Sequence, residues 1–227
     1  MKKISRRSFL AAAGVSAAAL ALTACGGSSS TAASTAASTG ASSAAGTAAG
    51  GTLNIMLETE VQSLDPQIAT DGTSFEVIAD YTDGLMQMDA DGAAVPAIAE
   101  TYEISEDGKT YTFHLRENYW SDGEKVVAQQ YVDAALRALN PDNGYSTTEF
   151  LPIKNAQAYY DGECDASELG VKAVDDNTVE YTLESPNSEF LYYIAYRAGY
   201  PCRQDVIDKA TSAYGTNVDE IVFNGPF

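Results

Sequence analysis

The chain has 227 residues, 45% of them hydrophobic, and it carries 13 basic against 32 acidic side chains, a formal charge of −19. This apolar content is sufficient for a folded core. The acidic excess argues against nucleic acid or anionic lipid as a partner of the folded part, because both are bound by clustered Lys and Arg. His114 is the single histidine, which excludes any site that needs two histidine ligands.

The first 24 residues have the composition of an export signal. Four basic residues, among them Arg6 and Arg7, precede an apolar run over 9–24, and no acidic residue occurs before Glu58. The run is short for a bilayer span, which needs about 20 apolar residues. The sequence around Arg6 and Arg7 is similar to a twin-arginine export motif. An ordinary secretory signal that happens to contain two arginines is the alternative.

Cys25 follows this segment in the sequence Leu-Thr-Ala-Cys, which resembles a bacterial lipobox, with the cysteine lipidated as the mature N-terminus. A chance cysteine after a signal peptide is the alternative. Removal of 1–24, which contains no acid, would leave a formal charge of −23. Residues 26–51 are all Gly, Ser, Thr or Ala, which predicts a flexible linker about 28 Å from end to end. Together these features predict a lipid anchor at the cell membrane and a linker over 25–51, on the extracytoplasmic face.

The folded part begins near Thr52 with short elements of both types. Alternating apolar residues at Leu53, Ile55 and Leu57 predict a half-buried strand. A helix is predicted over 74–86. A second alternating stretch covers 110–116.

Alternation over 110–116 places Tyr111, Phe113 and Leu115 on one face and His114 on the other. A helix is predicted over 128–139, with Asp133 and Arg137 spaced to pair on its exposed side. The remaining predicted elements are a hairpin of 170–174 with 179–183, and helices over 188–195 and 204–214. Because strands and helices alternate irregularly, the fold class expected is mixed α/β rather than a strict series of βαβ units.

A set of short motifs runs through the folded part in a fixed order. They are VQSLDP at 61–66, DGL at 83–85, VPAIAE at 95–100, SEDGKTYTFHLR at 105–116, WSDG at 120–123, GVKAVDD at 170–176 and NGPF at 224–227. In order and spacing they resemble extracellular solute-binding protein family 5, the oligopeptide- and dipeptide-binding proteins of ABC importers. Three positions depart from the family pattern: Tyr102 replaces a usual Trp, Val127 a helix-capping Thr, and Gln130 an acid.

The resemblance implies a type II periplasmic-binding-protein-like fold, in which two lobes close on a ligand and a smaller domain is inserted in the N-terminal lobe. By position, 52–82 and 204–227 would form a partial ligand-binding lobe, and 83–203 the inserted domain. Family members are much longer than this chain. We therefore expect an N-terminal fragment with the second lobe missing.

The resemblance also implies where a peptide is held. The positions that match ligand-contacting ones are Thr70, Asp71, Gly72, Thr73 and Tyr145. Backbone groups of 70–73 would pair with the peptide main chain as with an added strand, and Tyr145 would provide a flat wall with a hydroxyl. A plain polar loop at 70–73 and surface packing of Tyr145 are the alternatives. Trp120 is expected in the core rather than as a ligand platform.

The function implied is a lipid-anchored receptor that delivers peptides to the permease subunits of an ABC importer. It is expected to be a monomer without cofactor or metal, with a peptide, the permease and the membrane as partners and no nucleic acid. Receptors of the same fold for nickel complexes or oligosaccharides are the nearest alternatives. A secreted hydrolase or a structural surface lipoprotein represents a different class.

The sequence gives little support for either of two catalytic arrangements, a carboxylate pair or a triad that contains the single histidine. Asp65, Asp71 and Asp83 could include a carboxylate pair for glycoside hydrolysis, but with 32 acidic residues a chance pair is expected. His114 lies within a predicted strand, which does not suit a catalytic triad. The sequence therefore predicts a protein that is not an enzyme.

Two cysteines remain besides Cys25. Cys164 and Cys202 could form a disulfide worth about 3–4 kcal/mol, and two independent thiols are the alternative that we favour.

Overall fold

The computed structural model describes residues 54–143 and 150–226. Its helices and strands are α1 Gly72–Tyr81, β1 Met86–Met88, β2 Ala94–Pro96, β3 Ala99–Ile104, β4 Thr110–Leu115, α2 Gln129–Ala138, α3 Ala156–Tyr160, β5 Val171–Asp175, β6 Thr178–Thr182, α4 Phe190–Ile194 and α5 Gln204–Ala210. The export motif at Arg6 and Arg7, the proposed lipidation site Cys25 with its linker, and Tyr145 lie outside the described residues. No helix in 54–143 or 150–226 is long and apolar enough to cross a bilayer.

The strands form an antiparallel sheet in the order β3-β4-β6-β5, and β1 pairs with β2 in a separate two-stranded ribbon. Strand β4 is central, and its side chains alternate between buried and half-buried as predicted. Tyr111, Phe113 and Leu115 point into the core, and His114 lies on the opposite face with Nδ1 3.4 Å from Thr178 Oγ1. The hairpin of β5 and β6 is also confirmed.

The main core lies between this sheet and the helices around it, and two smaller apolar clusters lie around Ile78 and Cys202. Phe113 meets Tyr181 edge to face at 5.9 Å, and Tyr181 in turn lies 5.7 Å from Phe190 of α4. Helix α2 packs against β5 and β6. Trp120 is buried in the same core, which confirms the prediction that it is a core residue.

The N-cap residue of helix α2 is Ala128, which makes no side-chain capping hydrogen bond, and Val127 directly before it has no hydroxyl to offer. Gln130 takes over this role from inside the helix. Its Oε1 accepts hydrogen bonds from the Val127 amide at 3.1 Å and from the buried Trp120 indole at 3.0 Å. A single side chain therefore satisfies the helix terminus and the indole donor together.

Replacing Gln130 by alanine should lower the free energy of unfolding by about 1–2 kcal/mol, because the buried Trp120 indole and the Val127 amide both lose their acceptor. Gln129→Ala is the matched control, since the side chain of the neighbouring Gln129 is exposed and donates to Asp133. Urea unfolding followed by tryptophan fluorescence measures both variants. Equal losses in the two variants would contradict this role of Gln130.

The strand predicted around Ile55 and Leu57 is wrong. The backbone there belongs to no strand, and Ile55 is 62% exposed; Leu53 lies outside the described residues. Alternation creates a strand only when a neighbouring strand accepts its hydrogen bonds. None of the described strands pairs with this stretch.

Three predicted helices have different ends. Helix α1 starts at Gly72 rather than at residue 74, because Asp71 Oδ1 accepts the Ser74 amide at 2.8 Å and caps it. It ends at Tyr81, since Thr82 is extended and the next segment turns into β1. Helices α4 and α5 are shorter than predicted, and α5 stops where Thr211 adopts a positive φ of 52°.

The predicted pair of Asp133 with Arg137 is also wrong. Arg137 turns away from its own helix face and makes a two-pronged ion pair with Asp65, at 2.6 Å (Nη1–Oδ1) and 2.5 Å (Nη2–Oδ2). The Asp65 side chain is fully buried, whereas that of Arg137 is 14% exposed. The ring of Tyr214 lies 5.6 Å from the guanidinium carbon. A partner 72 residues away thus outcompetes the local one because it offers a buried, bidentate geometry.

Cys164 and Cys202 are both free thiols, as favoured from the sequence. Cys202 is buried beside α2, and burial raises its pKa well above the usual value, mainly by desolvation. Cys164 is half-buried, and its pKa is raised by burial and by the acidic side chains of Glu168 and Asp165.

A thiol titration of the Cys25→Ser protein without reductant should therefore detect two thiols after unfolding. In the native state at pH 8, Cys164 should react slowly and Cys202 should be protected, because only the thiolate is nucleophilic and Cys202 is inaccessible. Recovery of two thiols only after reduction would contradict the free state.

Candidate functional site

A cavity of about 450 Å³ opens beside α1. Four parts of the chain form its walls: α1, the turn at 82–84, strand β1 and the segment 195–200. Its larger side chains are Phe75, Met86, Met88, Tyr196 and Tyr200, and its charged ones are Glu76, Asp83 and Arg197. A mostly apolar hollow with a few polar groups is the usual form of a small-ligand site.

Gly84 allows two walls of the cavity to approach each other, and Gly199 allows the 195–200 segment to fold closely onto the end of α4. Gly199 accepts the Leu85 amide at 2.9 Å through its carbonyl, which joins the 195–200 segment to the start of β1. A Cβ on Gly84 would lie 2.9 Å from the Tyr200 ring, and one on Gly199 would lie 1.9 Å from the Ile194 carbonyl oxygen. The cavity therefore depends on a close backbone contact that side chains at these positions would prevent.

The NGPF motif holds the turn after α1. Asn224 donates from Nδ2 to the Asp83 carbonyl at 2.9 Å and accepts the Asp83 amide at 3.3 Å through Oδ1. The Gly225 amide donates to the Tyr81 carbonyl at 2.9 Å. The motif thus fixes the backbone of Asp83 and leaves its carboxylate out of these contacts.

Arg197 connects the opposite wall to the start of α1. Its Nη1 donates to the Ala69 carbonyl at 2.7 Å, and its guanidinium carbon lies 5.0 Å from the centre of the Phe75 ring. Hydrogen bonding and cation–π stacking together fix this side chain against the helix. The predicted peptide-contacting segment begins directly after Ala69.

Within that segment the structure brings one residue to the cavity. Gly72 lines it, and a Cβ there would meet nothing within 4 Å. Asp71 instead caps α1, and hydrogen bonds from Ser74 lower the pKa of its carboxyl. Thr73 Oγ1 lies 2.8 Å from Thr59 Oγ1, and Thr70 is exposed. Peptide contact by 70–73 stays a prediction, as does the role of Tyr145.

Asp83 differs from the other carboxylates around it. It is half-buried, and burial raises the pKa of its carboxyl, an effect that nearby Arg116 partly offsets. Asp65 is paired with Arg137 and Asp71 caps α1, so these two carboxylates are already engaged in structural contacts. In 54–143 and 150–226 no group of three His, Cys, Asp or Glu side chains is arranged to hold a metal ion.

Comparison with known proteins identifies the family. Residues 93–227 match bacterial extracellular solute-binding proteins, family 5 (middle region). The chain belongs to this family. The members of this family are extracellular solute-binding proteins. This agrees with the prediction that the chain is not an enzyme.

Individual relatives cover most of the chain. It is 34% identical over 177 residues to the dipeptide-binding protein of Lactococcus lactis, and the aligned part covers 77% of this chain and 32% of that protein. It is 37% identical over 169 residues to the probable deoxycholate-binding periplasmic protein YgiS of Escherichia coli, and the aligned part covers 73% of this chain and 31% of that protein. The chain thus spans about a third of the length of the curated relatives it matches.

A solved structure confirms the mixed α/β fold class. Listeria monocytogenes OppA, determined with a bound peptide, is 36% identical to this chain and superposes with a TM-score of 0.69, over 73% of this chain and 33% of OppA. The expected periplasmic-binding-protein-like fold is therefore confirmed for the part of the protein described.

Most of the cavity was missed from the sequence. Phe75 lies within the helix predicted over 74–86, and Tyr196, Arg197 and Tyr200 belong to none of the motifs. The one available signal was the glycine of the DGL motif, Gly84, because an element end that needs glycine often marks a close backbone approach.

Proposed function

We propose that this chain is part of a lipid-anchored receptor that captures extracellular peptides for an ABC importer. The observation that carries the proposal is its similarity in sequence and fold to OppA, a protein solved with a peptide bound. In this proposal 52–82 and 204–227 belong to the ligand-binding lobe and 83–203 to the inserted domain.

The proposed binding mode uses the start of α1. Backbone groups of 70–73 pair with the peptide main chain, Tyr145 contributes a flat wall, and the cavity beside Gly72 accepts a ligand side chain. Hinge closure then traps the ligand, because a ligand that binds the closed state better shifts the population towards it. No step of this function needs a cofactor.

The proposed location follows from the N-terminal sequence. Export through the motif containing Arg6 and Arg7 is followed by lipidation of Cys25, and the linker over 25–51 holds a monomeric receptor on the extracytoplasmic face. Metabolic labelling with a radioactive fatty acid tests this step. Incorporation that disappears in Cys25→Ser supports it, and equal labelling of both proteins overturns it.

A second candidate ligand is an amphipathic, non-peptide solute. Two observations favour it: the relative named as a probable deoxycholate-binding protein is 37% identical, and the cavity walls are largely aromatic and aliphatic. Nickel complexes and oligosaccharides are the other solutes considered from the sequence.

Mass spectrometry of the ligands that co-purify with the full-length protein tests the proposal. Recovery of peptides supports it. Recovery of bile-acid-like steroids, sugars or a metal chelate in place of peptides overturns it. If the protein purifies empty, thermal unfolding in the presence of a random tripeptide mixture gives the answer, because a ligand that binds only the folded state raises the midpoint. An unchanged midpoint in the mixture then counts against peptide capture.

A further inference from the structure

Among the residues that the structure describes, none pairs with the carboxylate of Asp83. Its backbone is held by Asn224, but within the described part of the chain its side chain makes no hydrogen bond or ion pair. Burial without a partner disfavours a charge, because the group loses water and gains nothing in return. The raised pKa of Asp83, caused mainly by desolvation, agrees with this description.

The other charges of the cavity do not neutralise this carboxylate. Arg197 is occupied by the Ala69 carbonyl and the Phe75 ring on the opposite wall. Glu76 adds a second negative charge to the lining. Arg116, which acts on Asp83 electrostatically, is exposed and is not part of the lining.

The remaining walls suit a long aliphatic chain. Met86, Met88 and Tyr200 provide flexible or flat apolar surface, and Tyr196 offers an exposed ring at the same cavity. A lysine side chain combines a four-carbon stem, which packs on such surface, with an ammonium that needs an acidic partner. Aromatic faces also attract cations.

We infer that the cavity beside α1 receives a basic side chain of the captured peptide, lysine above all, and that Asp83 pairs with its cationic end. This inference rests on the proposed function, since it specifies which peptides the receptor prefers. It makes Asp83 a specificity-determining residue of the cavity.

Calorimetric titration of the full-length protein with Ala-Lys-Ala, Ala-Leu-Ala and Ala-Glu-Ala tests the inference. Ala-Lys-Ala should bind about tenfold more tightly than Ala-Leu-Ala, the size expected for one charge-assisted contact, and Ala-Glu-Ala should bind most weakly. In Asp83→Asn the affinities for Ala-Lys-Ala and Ala-Leu-Ala should become about equal, because the ammonium loses its charged partner.

The control variant is Glu103→Gln, which removes one acidic charge from an exposed position on β3 outside the cavity. It should keep the tenfold preference, which separates a local contact from the effect of net charge. A thermal midpoint for Asp83→Asn at or above that of the unchanged protein verifies folding.

The outcomes distinguish the inference from the function on which it rests. If the three peptides bind with equal affinity, or if Asp83→Asn keeps the lysine preference, the inference is wrong and peptide capture stands. If none of the peptides binds and the random tripeptide mixture has no effect either, the proposed function itself fails.

Discussion

Replacing Arg137 by alanine is expected to lower the free energy of unfolding by about 3–5 kcal/mol, because it leaves a buried carboxylate without its partner. Asp65 is fully buried and receives both Arg137 Nη groups, at 2.6 and 2.5 Å. Its Oδ1 also accepts the Gln67 amide at 3.1 Å. Once the guanidinium is removed, one backbone amide cannot compensate the charge.

The pair also holds two distant parts of the chain together. Asp65 lies in the segment before α1, which is joined to the segment after α5 by a 2.6 Å hydrogen bond from the Leu64 amide to the Gly215 carbonyl. Arg137 lies in α2 and packs on Tyr214. Loss of the pair is therefore expected to loosen the segment leading to the proposed peptide-contacting residues.

Lys172→Ala provides the matched control. Lys172 pairs with Glu180 at 2.7 Å across β5 and β6, but its side chain is 64% exposed, so its removal should lower the free energy of unfolding by no more than about 0.5 kcal/mol. Arg137→Lys should lower the free energy of unfolding by an intermediate amount, since an ammonium keeps the positive charge but cannot donate two parallel hydrogen bonds to the carboxylate. Urea unfolding at neutral pH measures all three. A loss below about 1 kcal/mol in Arg137→Ala would contradict the structural role of the pair.

The sequence was most informative where a local pattern and the tertiary environment agree. One face of strand β4 packs against the core. Tyr111, Phe113 and Leu115 lie on that face, so the alternation in the sequence matches the burial in the structure. The turn between β5 and β6 is made by residues with strong turn preferences. Both elements were predicted nearly to the residue.

Predictions failed where a distant part of the chain decides the outcome. The alternation at Ile55 is real, but strand formation needs a partner that local sequence does not supply. Arg137 has a suitable neighbour at Asp133, yet its partner is Asp65, because the fold buries that carboxylate beside it. Spacing along one helix cannot reveal such a contact.

The candidate site was partly predictable for the same reason. Gly72, which the motif resemblance assigns to peptide contact, lines the cavity. Tyr196 and Arg197 reach the cavity only because the segment after α4 folds back onto β1. The distinctive state of Asp83 arises from burial after Asn224 fixes its backbone. The sequence contains 32 acidic residues, and composition alone does not distinguish Asp83 from the rest of them.

Gly199→Ala is expected to lower the free energy of unfolding by about 3 kcal/mol, at the upper end of the usual range for overpacking. The new Cβ would lie 1.9 Å from the Ile194 carbonyl oxygen and 2.9 Å from its carbon. These are backbone atoms, so no rotamer change can relieve the overlap. The segment must move, which breaks the 2.9 Å hydrogen bond from the Leu85 amide to the Gly199 carbonyl.

Gly72→Ala is the control because Gly72 lines the same cavity but has open space around its Cβ position. As the first residue of α1 it should be neutral or gain up to about 1 kcal/mol, since alanine favours helix over glycine. Urea unfolding of both variants, together with titration by Ala-Lys-Ala, separates stability from binding. Gly199→Ala should lose affinity because its wall shifts, even at temperatures where it is fully folded. Native stability and affinity in Gly199→Ala would show that the two walls do not depend on this contact.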